Sequence, residues 1–175
     1  MATQQPAGKT GSADRATEQV LTFELGKETY GVDILRVREI RGWAPVTKIP
    51  QAPSYVLGVL NLRGSIVPVM DLRMRLDLQR AEYTSVTVII VLSVRSQSGR
   101  DREVGVVVDA VSDVLSFNTA AMKAPPELGP NCPTDYIRGL TNSGKRMVIL
   151  LDIDRLIGTQ LSGMSDQADP ALAGV

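Results

Sequence analysis

An all-β fold made of two related units is predicted for this chain of 175 residues, and two observations predict it. The first is composition. Apolar residues make up 43% of the chain and aromatics only 4%, so Val, Ile and Leu carry the core, a bias that suits strands. The second is an internal repeat. Tyr30-Gly31-Val32, Val37, Glu39 and Ile40 align with Val104-Gly105-Val106, Val111, Asp113 and Val114 at a constant offset of 74. Tyr55, Gly58, Asn61 and Asp71 align with Tyr136, Gly139, Asn142 and Asp152 at a constant offset of 81. Lys48-Ile49-Pro50 against Lys123-Ala124-Pro125 falls between the two blocks. The residues that change the offset lie between Pro125 and Tyr136, in loop composition. Two copies of a pattern usually mean two copies of a fold unit. These are too few and too long for a solenoid, so a pseudo-symmetric pair of small β units is the better reading.

The elements follow in order. Residues 1–17 have no periodicity and read as a disordered tail. Order begins near Gln19, where Leu21, Phe23 and Leu25 alternate with Thr22 and Glu24, the period-2 signal of a half-buried strand. Gly26-Lys27 turns the chain and residues 30–33 return as a strand. After a short irregular link, residues 37–40 continue in strand composition until Arg41-Gly42 and Pro45 break it. Residues 46–49 read as a short strand ended by Pro50, and residues 51–54 as a loop. Val56–Leu62 is a strand, Arg63-Gly64-Ser65 a turn, and residues 66–71 its hairpin partner. Pro68 assigns that partner to an edge or a bulge. Residues 72–76 close as a short helix capped by Asp71.

The second half repeats this plan. Residues 85–94 are β-branched and too apolar on both sides for an exposed strand. Residues 96–101 form a polar hairpin loop, residues 103–108 and 111–117 strands, and residues 118–122 a single helical turn. Residues 137–141 and 146–151 flank a turn at Asn142-Ser143-Gly144. Asp152 caps a helix over residues 153–157 that Gly158 ends. Residues 161–175 read as a second disordered tail. The folded domain is thus placed at residues 18–160. That leaves roughly 140 residues for one domain or two small fused ones.

Charge and residue usage exclude several functions. Nineteen basic residues balance 19 acidic ones, which gives no electrostatic reason to expect nucleic acid or an acidic lipid surface. The chain has no histidine. That removes Ser-His-Asp and Cys-His hydrolysis, most zinc sites and phosphohistidine transfer by this chain. The single cysteine, Cys132, cannot form an internal disulfide, so a reducing compartment fits. It lies in a Pro-rich loop without a basic neighbour, which argues against a reactive thiolate. The first residues lack a basic start and an apolar run, so no signal peptide is read. No apolar stretch reaches the ~18 residues of a membrane span. Gly-rich phosphate motifs and metal-spaced ligand clusters are also absent.

A few residues carry alternative readings. Arg63 at the hairpin tip is either a solvated turn residue or a presented guanidinium. The matching stretch Asn142-Ser143-Gly144 carries no arginine, which argues that Arg63 serves something specific to one copy, most simply a partner. Arg36 and Arg38 read as a solvated face over Ile34, Leu35, Val37 and Ile40. Glu39 is repeated as Asp113, so it is either a binding acid or a structural acid pairing with backbone N–H groups. Asp71 and Asp152 read as helix caps rather than a catalytic carboxylate pair. Gly31 and Gly105, like Gly58 and Gly139, sit in strands, where glycine implies close approach by another backbone or a bulge.

Three blocks, residues 30–42, 58–73 and 104–115, resemble the CheW family of bacterial chemotaxis coupling proteins. Their most telling segments are Tyr30-Gly31-Val32-Asp33-Ile34, Gly58-Val59-Leu60-Asn61-Leu62-Arg63-Gly64 and Val104-Gly105-Val106. The resemblance runs from about Gln19 to Gly158. It implies two intertwined SH3-like five-stranded β-barrels sharing a core, with few short helices. It also implies a scaffold with no enzymatic activity and no cofactor. Such a scaffold links the cytoplasmic tips of methyl-accepting chemoreceptors to the regulatory domain of the CheA histidine kinase, in the cytoplasm at membrane receptor arrays and without inserting into the membrane. The family's groove between barrels receives the receptor tip. Carried over by motif, the receptor- or kinase-binding residues are Val37, Glu39, Gly58, Arg63 and Val88. Ser65 departs from the family pattern, where an apolar residue is common.

Other readings stand beside this one: the CheW-like regulatory domain of a kinase, and a related chemosensory pathway that does not control motility. A small-molecule-binding or hydrolytic β module would belong to another class. The missing histidines and the lack of a clustered polar site count against it.

Overall fold

The structure, a computed structural model, describes residues 16–79, 82–131 and 134–164. Cys132 and most of both predicted tails, residues 1–15 and 165–175, lie outside the described residues. Ten strands and two helices follow in order: β1 (Thr17–Leu25), β2 (Glu28–Asp33), β3 (Val37–Gly42), β4 (Val56–Leu62), β5 (Ser65–Asp71), α1 (Leu72–Arg75), β6 (Val88–Arg95), β7 (Asp101–Val108), β8 (Ala110–Asn118), β9 (Ile137–Ser143), β10 (Arg146–Leu151) and α2 (Ile153–Met164). Single 3-10 turns, Ile34–Arg36 and Thr119–Ala121, follow β2 and β8.

The strands form two five-stranded sheets, ordered β8-β1-β2-β10-β9 and β3-β6-β7-β5-β4. Replacing β1 to β5 by β6 to β10 turns one order into the other, so the sequence repeat is a structural repeat. The repeats are also exchanged. β1 and β2 belong to the first copy but pair with β8 and β10 of the second, and β6 and β7 pair with β3 and β5 of the first. The parallel joints are equivalent down to the residue: Gly31 faces Leu150 and Gly105 faces Val69. A Cβ on Gly31 would stand 3.0 Å from Leu150 Cδ2, and one on Gly105 3.0 Å from Ile89 Cγ2. Close approach is thus the reason for glycine within these strands.

Each sheet rolls up on itself. β3 and β4 are opposite edges, yet Thr47, just beyond β3, bridges to Val59 of β4 through N–H···O contacts of 3.0 and 2.8 Å. The equivalent closure joins Lys123 to Leu140 of β9. Both closures crowd a glycine. A Cβ on Gly58 would overlap the Thr47 carbonyl, and one on Gly139 would stand 2.5 Å from Met122 Cγ.

The inner strands of the rolled sheets bury both of their faces. Phe23, Val32, Met70, Ile90, Leu92, Val106 and Leu156 belong to one core shared by the two sheets and α2. Val67, Val69, Ile89 and Val91 form a second cluster inside one barrel, and Val20, Phe117, Val148 and Leu150 a third inside the other. Neighbours such as Ile89 and Ile90 therefore serve different cores, which is why β6 is apolar on both sides.

Several sequence expectations need correction. β1 starts at Thr17, inside the predicted tail, because residues 17–19 pair with Asn118, Phe117 and Ser116 of β8. β3 runs on to Gly42, held by Val88 opposite it. Residues 46–49 form only an isolated bridge at Thr47. β5 is not an edge strand. Pro68 sits just before the parallel ladder begins at Val69 and Gly105, so its missing N–H breaks no pair there. β6 begins at Val88 rather than residue 85.

Helix α2 does not stop at Gly158 but continues to Met164, and Leu161 is buried in the shared core. Residues 161–164 are thus helix rather than tail. Gly158 is a packing glycine: a Cβ there would stand 2.7 Å from the Arg95 carbonyl oxygen of β6. The caps behave as expected. Asp71 accepts from the N–H groups of Arg73 and Met74, and Asp152 Oδ1 from that of Arg155 at 3.1 Å. The second oxygen of Asp71 accepts from the Tyr83 hydroxyl at 2.8 Å, so this buried carboxylate is engaged at both ends.

Candidate functional site

The β4–β5 hairpin turns at Arg63 and Gly64, both with positive φ, 53° and 88°. That pair of values is the pattern of a type I′ turn, the form whose twist suits a two-residue hairpin. Asn61 Oδ1 accepts the Gly64 N–H at 2.9 Å and steadies the turn. Glycine or asparagine is the usual occupant of such a position, and an arginine there costs roughly 1–2 kcal/mol of backbone strain. The strand registers place Gly144, not Ser143, at the position of Arg63, and Lys145 at that of Gly64. Gly144 takes the same conformation, φ 62°, without strain. The second hairpin does carry a cation at its tip, one residue later.

Arg63 is 85% exposed, and its Nη2 donates to Glu39 Oε2 at 3.1 Å. Glu39 sits on β3 just after a bulge, where Val37 faces Leu92 and Glu39 faces Val91. The ion pair therefore reaches across the seam where the sheet closes. Of the five residues named from the sequence, the structure brings these two together. Val37 and Val88 are half-buried against the shared core and lie at opposite ends of the β3–β6 ladder. Gly58 is buried and carries no side chain, so its contribution is to let the barrel close. Glu39 and Asp113 share a position but differ in use. Asp113 Oδ1 accepts the N–H of Val114, while Thr22 Oγ1 bridges the Asp113 backbone.

A groove of about 540 Å³ opens where the β2–β3 link and the start of α2 leave the β8-β1-β2-β10-β9 sheet. Its walls are the start of β1 (Thr17, Glu18, Gln19), residues 33–36, Arg138 of β9, and residues 151–154 leading into α2. Leu35 stands out on the Ile34–Arg36 turn with 79% of its surface exposed, and Asp33 Oδ1 accepts the Leu35 N–H at 2.9 Å. Ion pairs flank the groove: Arg36 to Asp154 at 2.7 Å and Arg138 to Glu18 at 2.6 Å. Sequence reasoning missed Leu35, Arg138, Glu18 and Asp154, and it read Arg36 as a solvated face. A large apolar residue on an irregular link was the one available signal, because the other walls come from distant parts of the chain.

Among the described residues, no helix is long and apolar enough to cross a membrane. Comparison with known proteins adds the rest. The family model of the CheW-like domain matches residues 19–160. A chemotaxis protein CheW from Klebsiella aerogenes is 44% identical over 149 residues, covering 85% of this chain and 87% of that protein. A probable chemotaxis protein CheW from Rhizobium etli is 38% identical over 145 residues, covering 83% and 90%. The crystal structure of the scaffolding protein TtCheW from Thermoanaerobacter tengcongensis superposes with a TM-score of 0.71 at 29% identity, covering 80% of this chain and 92% of that one. With the family model matching residues 19–160 and a relative 44% identical over most of the chain, the chain belongs to the CheW-like family.

Proposed function

We propose that this chemotaxis scaffold joins the cytoplasmic tips of methyl-accepting chemoreceptors to the regulatory domain of the CheA histidine kinase, at receptor arrays and without catalysing a reaction. The receptor tip takes the groove beside the Ile34–Arg36 turn, with Leu35 as its apolar contact. The Glu39–Arg63 surface takes the kinase domain. The observation that carries this reading is the strained conformation of Arg63. An exposed arginine occupies a left-handed position that the other hairpin gives to Gly144. Backbone strain clusters at functional positions. Gln51 and Asp77 share the left-handed conformation, but at Arg63 it coincides with the ion pair to Glu39 across the barrel seam. Charged and apolar features converge at the groove as they do where helices dock.

Co-sedimentation with receptor-containing membranes, with and without kinase, tests the assignment. Leu35→Ser should lose receptor recruitment. Arg63→Ala should keep the receptor and lose the kinase. If Arg63→Ala assembles the full complex as the unaltered protein does, the surface assignment is wrong.

A further inference from the structure

The junction between the barrels is held twice, by ion pairs of reversed polarity: the helix gives the base in one and the acid in the other. On one side Asp109, in the link between β7 and β8, accepts from Arg73 of α1 at 3.0 Å and from the Gly26 N–H at 2.7 Å. On the other, Asp154 of α2 accepts from Arg36, in the link between β2 and β3, at 2.7 Å and from the Arg95 N–H at 2.8 Å. Arg73 and Asp154 are the same helix position in the two copies, at the offset of 81. The partners Asp109 and Arg36 come from the matching links, one residue off the repeat offset of 74. Each junction ties a strand-to-strand link, a helix and the end of a hairpin strand. Each carries one such pair, with the polarity reversed.

Only one of these junctions faces the groove. Arg36 and Asp154 both line it, and Arg36 also donates to the Ser93 carbonyl at 3.3 Å. Arg36 closes the turn that carries Leu35. A planar guanidinium held at two points fixes the direction of that turn, which an ammonium on a flexible stem does not.

Resting on the receptor reading of the groove, we infer that Asp154 is a positioning residue. Through Arg36 it holds the Ile34–Arg36 turn so that Leu35 projects at a fixed angle toward the partner, without touching the partner itself.

The test measures affinity for a soluble helical-hairpin tip fragment of a chemoreceptor, alongside a thermal melt, on the full chain. Asp154→Asn should weaken binding by about fivefold or more, and Arg36→Lys should do the same. The double variant should be no weaker than either single one, since both act through one contact. Asp154→Glu should recover much of the affinity. Asp109→Asn breaks the matching pair away from the groove. It should lower the melting temperature about as much as Asp154→Asn while leaving receptor binding unchanged.

The inference is overturned if Asp154→Asn binds like the unaltered chain, if the losses of the double variant add, or if Asp109→Asn weakens binding equally. Loss in Arg36→Lys alone would make Arg36 a direct contact and overturn it as well. Leu35→Ser separates the two levels. If it binds normally, the groove reading falls and this inference with it. If it fails to bind while Asp154→Asn binds normally, only the inference falls.

Discussion

Arg63, at the tip of the β4–β5 hairpin, and Glu39, on the opposite edge strand β3, lie 24 residues apart, and their side chains meet at 3.1 Å. The contact exists only because the sheet has rolled until its edges face each other. An exposed ion pair of this kind adds little to stability, about 0–1 kcal/mol. The arginine's backbone conformation works against the fold.

Arg63→Gly should therefore hold or raise the melting temperature, since glycine relieves roughly 1 kcal/mol of left-handed strain. Arg63→Ala and Glu39→Ala should stay within about ±0.5 kcal/mol of the starting stability. Kinase binding should nevertheless fall by ~2 kcal/mol or more if Arg63 is an interface anchor, roughly thirtyfold. Arg63→Lys should recover only part, lacking the planar fork of donors. Lys145→Ala, at the tip of the other hairpin, is the matched control and should bind normally. A melt beside a binding titration for each variant decides it, and unchanged affinity in Arg63→Gly would count against a contact role.

Gly58 tests the closure of the barrel. Its φ of 151° and the Thr47 carbonyl pressed against it leave no room for a Cβ. Gly58→Ala should cost about 2–4 kcal/mol through strain and loss of the Thr47–Val59 bridge. Denaturant unfolding reads this directly. A variant as stable as the parent would show that the closure is dispensable.

Leu161 tests the extent of α2. Only 2% of its surface is exposed, so Leu161→Ala should cost about 2–5 kcal/mol, as for other buried leucines. Leu128→Ala, at a leucine that is 60% exposed, should stay within about ±0.5 kcal/mol. Equal midpoints in urea for the two variants would contradict the packing of α2.

Tyr30 supplies an alkaline limb. Burial first, then the nearby Tyr136 and Glu28, raises its phenol above the ordinary value of 10.0. The unfolded chain ionises this group at about pH 10, while the folded chain keeps it protonated longer. Its contribution is whole below that pH and is lost as pH rises through the raised folded value. Urea midpoints at about pH 8 and about pH 11 should fall further for the parent than for Tyr30→Phe. Equal falls would mean that the phenol's environment does not favour the protonated form.

How much of this was legible in the chain divides along a physical line. Period-2 alternation, the turn residues, the Asp71 and Asp152 caps and the offset repeat are local signals, and local signals survive in a linear string. They determined the all-β class, most strands to within a residue or two, the two-copy plan and, by resemblance, the family. The choice of Arg63 and Glu39 as a site also came from the string. Their meeting did not, because it depends on a sheet closing on itself.

Beyond the hairpins, only the tertiary structure decided which strands pair with which. Hydrophobic alternation says that a strand has a buried face but not whose face covers it, so the exchange of β1 and β2 with β6 and β7 left no trace in periodicity. The same holds for the groove, whose walls come from residues 17–19, 33–36, 138 and 151–154. Gly158 shows the limit from the other side. Read locally, glycine ends a helix. A Cβ there would stand 2.7 Å from the Arg95 carbonyl oxygen, and α2 continues past it because burial of Leu161 outweighs the modest helix penalty of glycine, about 1 kcal/mol.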